Sequence, residues 1–261
     1  MKKAVIIIPV RWASGRLPGK PLAAIAGKTM LERVWHLARA VKNASGVWIA
    51  TDDQRIFDHA KKIGAQAVMT SGSCANGTER VFDAVKNLKP EAGVIINLQG
   101  DAPLTPPWII EALIDKMMSN PSCEIATPAV RLPADVFEKF REASKNGKAG
   151  GTTVTFDKRG RALYFSKSII PYVRDPKSAD LPVYKHLGIY AYTPDALKRW
   201  VALPPGVFEL AEQLEQLRAL EHGLPIDVVL VDTRGRTLWS VDNPSDIAMV
   251  EDIIKKEGEL V

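Results

Sequence analysis

The stretch Arg11–Pro21, "RWASGRLPGKP", places three cations, two glycines and two prolines within eleven residues, directly after the apolar run Ala4–Val10. Arginine offers a fork of donors that matches phosphate oxygens, and lysine a compact point charge. Gly15 and Gly19 permit a sharp turn or a close backbone approach to a ligand. Arg11, Arg16 and Lys20 together suit an anion, and a phosphate chain above all. The loop is not a P-loop: three residues rather than four separate its glycines, and Pro21 stands where Ser or Thr is needed after the lysine. No G-x-G-x-x-G is present either.

A second candidate is "NLQGDAPL", Asn97–Leu104, in which Gly100 and Asp101 follow an apolar run immediately. A carboxylate at the carboxyl end of a strand is well placed to hold a hard cation. Mg²⁺ takes one or two carboxylates and completes its shell with water and phosphate oxygens. Asp101 serves equally well as a turn or cap residue when read alone. Asp242, in "WSVDNPSDI", is either the N-cap of a last helix or a second carboxylate for the same cation.

These residues need a frame. Lys3–Val10 reads as a strand covered on both faces, Thr29–Lys42 as a helix, Val47–Ala50 as a strand, Gln54–Ile63 as a helix and Ala65–Met69 as a strand. Gly77–Leu88 follows as a helix, Gly93–Leu98 as a strand and Pro106–Met118 as a helix. The alternation predicts an α/β fold with a mostly parallel central sheet and helices on both faces. In such sheets ligands bind outside the carboxyl ends of the strands, where the Arg11–Pro21 loop lies. The second half is less regular. It reads as a hairpin Thr152–Phe156 with Arg161–Phe165, a strand Gly188–Tyr192, a charged helix Phe208–Glu221, a strand Ile226–Val231 and a last helix Asn243–Lys256. The expected organisation is a single domain, with a core of roughly 1–130 and 224–261 and a smaller inserted lobe of roughly 131–223 for acceptor binding and dimerisation.

Composition narrows the function. The 261 residues carry a formal net charge of +5, with 46% hydrophobic and 25% charged residues, as a globular protein does. No run of five or more Lys/Arg occurs and aromatics do not interleave with basic residues, which argues against a nucleic-acid partner. The longest apolar run is too short to span a bilayer, and Pro9, Arg11 and Arg16 interrupt any leader after Met-Lys-Lys, so no membrane partner is expected. Cys74 and Cys123 lack metal spacing, and the expected compartment is the cytoplasm.

Seven stretches in order, "RWASGRLPGKPL", "ATDD", "NGTER", "NLQGDAPL", "YFSKSIIPY", "YKHLGIYAYT" and "LEQLRALEHG", resemble the CMP-Kdo synthetases, the 3-deoxy-manno-octulosonate cytidylyltransferases, over nearly the whole chain. The resemblance implies a Rossmann-like nucleotidyltransferase fold, a homodimer, and a Mg²⁺-dependent reaction of CTP with the sugar acid Kdo to give CMP-Kdo and pyrophosphate for lipopolysaccharide or capsule synthesis. It implies that Arg11, Ser14, Arg16 and Lys20 cradle the triphosphate, with Lys20, Arg11 and Asp101 catalytic. Gly77, Thr78 and Arg80 would line the cytosine pocket, beside Asn76 in place of the more usual Ser. Asp101 and Asp242 would hold Mg²⁺. Gln99, His186, Tyr190, Glu212 and Gln216 would face the acceptor.

Departures from the family pattern fall largely nearer the acceptor side. Ala102 replaces a Glu, Lys167 replaces the Arg of "YFSR", Gly150–Phe156 lacks a Lys, and "SVDNPSD" stands for "GVDTPED". Lys167 gives a point charge where Arg would grip a carboxylate with two donors. The acceptor therefore stays open among Kdo, 8-amino-Kdo, another ulosonic acid and a phosphonate. Two other classes remain: a sugar-1-phosphate nucleotidyltransferase, and a nucleotide sensor without catalysis. His186 reads alone as a core histidine, and Glu209, Glu212 and Glu215 alone as a solvated helix face.

Overall fold

Ala4–Pro9 (β1) buries all six of its residues. Its alternation divides the protein into two layers: Ile6 and Ile8 face one apolar cluster, Val5 and Ile7 the other. Each isoleucine so buried contributes about 1.5–3 kcal/mol relative to exposure. The computed structural model describes residues 3–13, 15–145, 151–175 and 181–261. Ser14 and Gly150 lie outside the described residues.

After β1 the chain makes a small hairpin, β2 (Ala24–Ile25) and β3 (Lys28–Thr29), then α1 (Met30–Arg39), β4 (Ala44–Thr51), α2 (Gln54–Lys62) and β5 (Gln66–Met69). It continues through α3 (Gly77–Leu88), β6 (Val94–Asn97), α4 (Pro107–Ser119), β7 (Ile125–Arg131) and α5 (Ala134–Lys145). The later elements are β8 (Thr152–Phe156), β9 (Ala162–Ser166), β10 (Tyr184–His186), β11 (Tyr190–Tyr192), α6 (Pro194–Val201), α7 (Val207–Glu212), α8 (Gln216–Glu221), β12 (Asp227–Leu230) and α9 (Pro244–Glu257).

The main sheet runs β5-β4-β1-β6-β11-β7-β10-β8-β9, with β12 also paired to β7. The half that carries the cationic loop is parallel, β1 pairing with β4 and β6, and β4 with β5. Helices α1, α2 and α4 cover the Ile6 face through Leu31, Val34, Ile56, Ile109 and Leu113. Helices α3, α6 and α8 cover the other through Val81, Ala84, Trp200 and Leu217. This is the α/β architecture that the alternation predicts. Strands β8–β11 continue the same sheet, with β11 antiparallel between β6 and β7.

Helix starts follow side-chain capping. Backbone N–H groups of Glu32, Arg55 and Glu79 donate to Thr29 Oγ1 (3.2 Å), Asp53 Oδ1 (2.9 Å) and Asn76 Oδ1 (2.9 Å). Asn243, not Asp242, is the N-cap of α9. Asp242 is thereby left to the cleft described below. Elements β2, β3, β7, α5, β10 and α6 have no counterpart in the sequence reading. The charged helix Phe208–Glu221 is two helices, broken where Gln213 turns left-handed at φ 53°. Among the described residues no helix is long and apolar enough to cross a membrane.

Candidate functional site

A cleft of about 480 Å³ opens at the carboxyl ends of β1 and β6. Its wall includes Arg11, Arg16 and Lys20 from the loop after β1, and Asn76, Gly77 and Arg80 from the start of α3. Gln99, Asp101 and Asp242 complete it. The loop is pinned where it matters. Gly19 sits at φ 69°, a left-handed position that favours glycine, and leads into a short 3₁₀ turn at Lys20–Leu22. That turn aims Lys20 inward, its side chain only 14% exposed. Arg11 and Arg16 stay exposed.

Four charges from three distant parts of the chain meet here. Lys20 Nζ is 2.8 Å from Asp101 Oδ2 and 3.5 Å from Asp242 Oδ1, and Arg16 Nη2 donates to Asp242 Oδ1 at 3.0 Å. Asp101 is placed by Gly100, whose added Cβ would stand 2.2 Å from Val10 Cγ1, so only glycine lets the strand end pass. Asp101 O also accepts from Val241 N (2.9 Å), which draws the Asp242 segment against the end of β6.

The "NGTER" residues divide. Gly77 and Arg80 line the cleft. Arg80 is buried and anchored, donating to Asp52 Oδ2 at 2.9 Å and Thr70 Oγ1 at 2.7 Å, which explains Asp52 of "ATDD". Thr78 is 1% exposed and turns its hydroxyl away, donating to Glu215 Oε1 at 2.8 Å.

Of the expected acceptor residues, Gln99 lies on the cleft wall and donates to Asn97 Oδ1 at 3.2 Å. Asn97 pairs with Tyr190 across β6 and β11, and the Tyr190 ring lies 5.6 Å from that of His186. His186 is buried against Phe165, and its Nε2 lies 2.8 Å from Thr127 Oγ1. Because Thr127 donates its own proton to Ile189 O at 2.8 Å, the imidazole is the donor to Thr127. Burial pushes His186 down to about 3, so the ring is neutral. It supplies hydrogen bonds and no charge. Glu212 accepts from Ser166 Oγ (2.7 Å) and Lys167 N (2.8 Å), tying α7 to the end of β9, while the Lys167 side chain is exposed. Gln216 is buried at the start of α8.

The glutamates of "ELAEQLEQLRALE" are not a solvated face. Glu209 takes Arg218 through two bonds of 2.6 and 2.7 Å, and Glu221 accepts from Phe208 N. Sequence reasoning named Glu215 only within a helix face and gave Asn97 no role of its own; with Thr78 they join α3, β6 and α8. Burial raises the Glu215 carboxyl above its usual range. The available signals were a polar residue closing the apolar run "VIIN", and a carboxylate beside Gln216.

A family model described as cytidylyltransferase matches residues 5–228. The chain belongs to the cytidylyltransferase family. It is 53% identical over 255 residues to a 3-deoxy-manno-octulosonate cytidylyltransferase of Maricaulis maris, covering 98% of both chains. It is 42% identical over 252 residues to the protein of that name from Chlamydia trachomatis serovar L2, covering 95% of this chain and 93% of that one. A solved structure of CMP:2-keto-3-deoxy-manno-octonic acid synthetase complexed with CTP superposes with a TM-score of 0.85 at 37% identity, covering 98% and 99% of the two chains. A 4-diphosphocytidyl-2C-methyl-D-erythritol synthase from Anaerococcus prevotii shares the fold, with a TM-score of 0.62 at 13% identity and 97% and 96% coverage.

The cytidylyltransferase is a nucleotidyltransferase, and its cleft has the chemistry for one. Two carboxylates, Asp101 and Asp242, converge on the Lys20 ammonium in a cleft that Arg11, Arg16 and Arg80 also line. That donor set fits Mg²⁺, which takes one or two carboxylates and leaves its other positions to phosphate and water.

Proposed function

We propose that this cytidylyltransferase joins CTP to 3-deoxy-manno-octulosonate, giving CMP-Kdo and pyrophosphate. The observation that carries the reading is Lys20 held between Asp101 and Asp242 on the wall of a cationic cleft. The names of the relatives support Kdo as the acceptor.

Arg11, Arg16 and Lys20 would receive the triphosphate, and the start of α3, with Asn76, Gly77 and Arg80, the base. A hydroxyl of the sugar acid attacks the α-phosphorus in line, and pyrophosphate leaves from the opposite side. No covalent enzyme intermediate is required, so the protein acts by positioning and charge. Lys20 balances charge on the transferring group, and Gln99 borders the acceptor. Asp101 and Asp242 would hold Mg²⁺, which when bound neutralises phosphate charge and makes a bound hydroxyl easier to deprotonate. We further read the chain as a cytoplasmic homodimer that serves lipopolysaccharide or capsule synthesis. The exposed Leu163, Val207, Phe208 and Leu210 support a self-association face.

Pyrophosphate release, measured for each nucleoside triphosphate against a panel of 2-keto sugar acids and sugar 1-phosphates, tests the reading. The expected result is release with CTP and Kdo and none without acceptor. Turnover of 8-amino-Kdo or another ulosonic acid alone would move the acceptor and keep the chemistry. Turnover of sugar 1-phosphates would assign the other enzyme class, and CTP binding without release from any acid would make the chain a sensor.

A further inference from the structure

Trp12 stands inside the cationic loop, one residue after Arg11, yet it carries no charge and no part of the chemistry above. Its surroundings give it a mechanical one. The outer rim of its indole lies against Gly19, where an added Cβ would meet Cη2 at 3.0 Å and Cζ2 at 3.1 Å. Gly19 N donates to Trp12 O at 3.2 Å, so residues 12 and 19 close the loop on itself just before Lys20. The guanidinium carbon of Arg55 sits 3.5 Å from the centre of the Trp12 ring.

Arg55 is itself held. Its Nε and Nη2 donate to Asp53 Oδ1 and Oδ2 at 3.0 and 2.6 Å, and its backbone N donates to Asp53 Oδ1 at 2.9 Å. Asp53 is the N-cap of α2, which is packed on the core through Ile56 and Ala60. A continuous set of contacts therefore runs from a rigid helix, through Asp53, Arg55 and Trp12, to Gly19 and Lys20. A planar cation over an indole face is attracted by the ring quadrupole and stacks without losing its bonds to a carboxylate.

We infer that the Arg55–Trp12 stack is a positioning device that fixes the phosphate loop so that Lys20 points into the cleft. This deepens the proposed function, on whose assignment of the loop to CTP it rests. Arg55 and Trp12 are positioning residues here, touching the loop and not the reacting atoms.

The test compares the wild type with Arg55→Ala, Trp12→Leu, the double variant and Trp12→Tyr, which keeps a ring face. Arg55→Ala retains the backbone N–H that Asp53 accepts, so the α2 cap survives. Two readouts are taken: kcat/KM for CTP with the acceptor KM, and amide hydrogen exchange over residues 11–20 without substrate. Each single disruption is expected to lower kcat/KM for CTP by about two- to fivefold, the worth of one partly exposed cation–π contact. The acceptor KM should stay put, the loop should exchange faster, Trp12→Tyr should recover most of the loss, and the double variant should be no worse than either single one. Multiplying effects in the double variant, or a loss in Arg55→Ala with none in Trp12→Leu, would overturn the inference and assign Arg55 to the nucleotide directly. Unchanged exchange in both single variants would overturn it too. A wild type that turns over no CTP would sink the functional reading alone, because the exchange measurement still decides the stack.

Discussion

Lys20 and Asp101, 81 positions apart in sequence, meet at 2.8 Å between Nζ and Oδ2 on the wall of the cleft. The lysine reaches that point from a short 3₁₀ turn after a left-handed glycine, and the aspartate from the turn that follows the buried strand β6. The contact ties the loop after β1 to the segment after β6 on one wall of the cleft.

Lys20→Ala is expected to lower kcat by about 10²–10³, the usual loss when one preorganised donor is removed from a developing charge. The CTP affinity should move far less, since Arg11 and Arg16 remain on the same wall. Steady-state and single-turnover kinetics separate the two, and an unchanged kcat would take Lys20 out of the catalytic set.

Asp101→Asn keeps the shape of the side chain and removes its charge. Asp101 is half-buried and its backbone carbonyl, which accepts from Val241 N, is untouched by the change, so the fold should survive. Activity should fall nearly to background, and no Mg²⁺ concentration should restore it fully. Circular dichroism and a metal titration check this. Wild-type rate with wild-type metal dependence would leave Asp101 as a turn residue.

His186 gives the protein a signature in acid. The imidazole titrates near 6.5 when unfolded and near 3 in the buried native site, where desolvation opposes the charge. Between those values the unfolded chain binds more protons, so this group makes stability rise with pH. Its contribution is complete above pH 6.5 and is lost as pH falls toward 3, amounting to about 2 kcal/mol at pH 5. Urea midpoints for the wild type and His186→Gln between pH 7 and pH 4 should therefore converge as pH drops. Parallel curves would show that His186 is not buried neutral.

The first half of the chain was legible because each level of signal agreed. The Ala4–Pro9 run and the helix Gly77–Leu88 carry their signal within the segment itself, an unbroken apolar run in the first and helical spacing in the second. The later elements depend on partners far away. Strand β11 lies within the strand read at Gly188–Tyr192, but β10 is three residues long and is held as a strand by β7 and β8 on its two sides. The break at Gln213 had no Gly or Pro to announce it, and comes where Glu212 is drawn to β9 and Glu215 to Thr78. At the site, Lys20, Asp101 and Asp242 could be named from residue type at a strand end. The inward turn of Thr78 could not, since its partner Glu215 lies 137 positions away.

The acceptor brings a carboxylate to a site that also takes a triphosphate, and something must offset that charge. His186 is neutral and leaves the task to cations and backbone donors. Lys167 is the candidate cation. Its backbone N and the neighbouring Ser166 hydroxyl are both fixed by Glu212, so its main chain is rigid while its side chain is exposed. A flexible ammonium on a rigid base gives charge without geometry, and an arginine at the same place would add a planar fork. Lys167→Arg is therefore expected to lower the acceptor KM by about two- to tenfold, the worth of one additional hydrogen bond, and to leave the CTP KM within error. It should also narrow the range of sugar acids accepted, because a two-point grip rejects acids that present the carboxylate at another angle. Both Michaelis constants measured over the acceptor panel decide the matter. A change confined to the CTP constant would place Lys167 on the nucleotide side and leave the acceptor carboxylate to backbone donors.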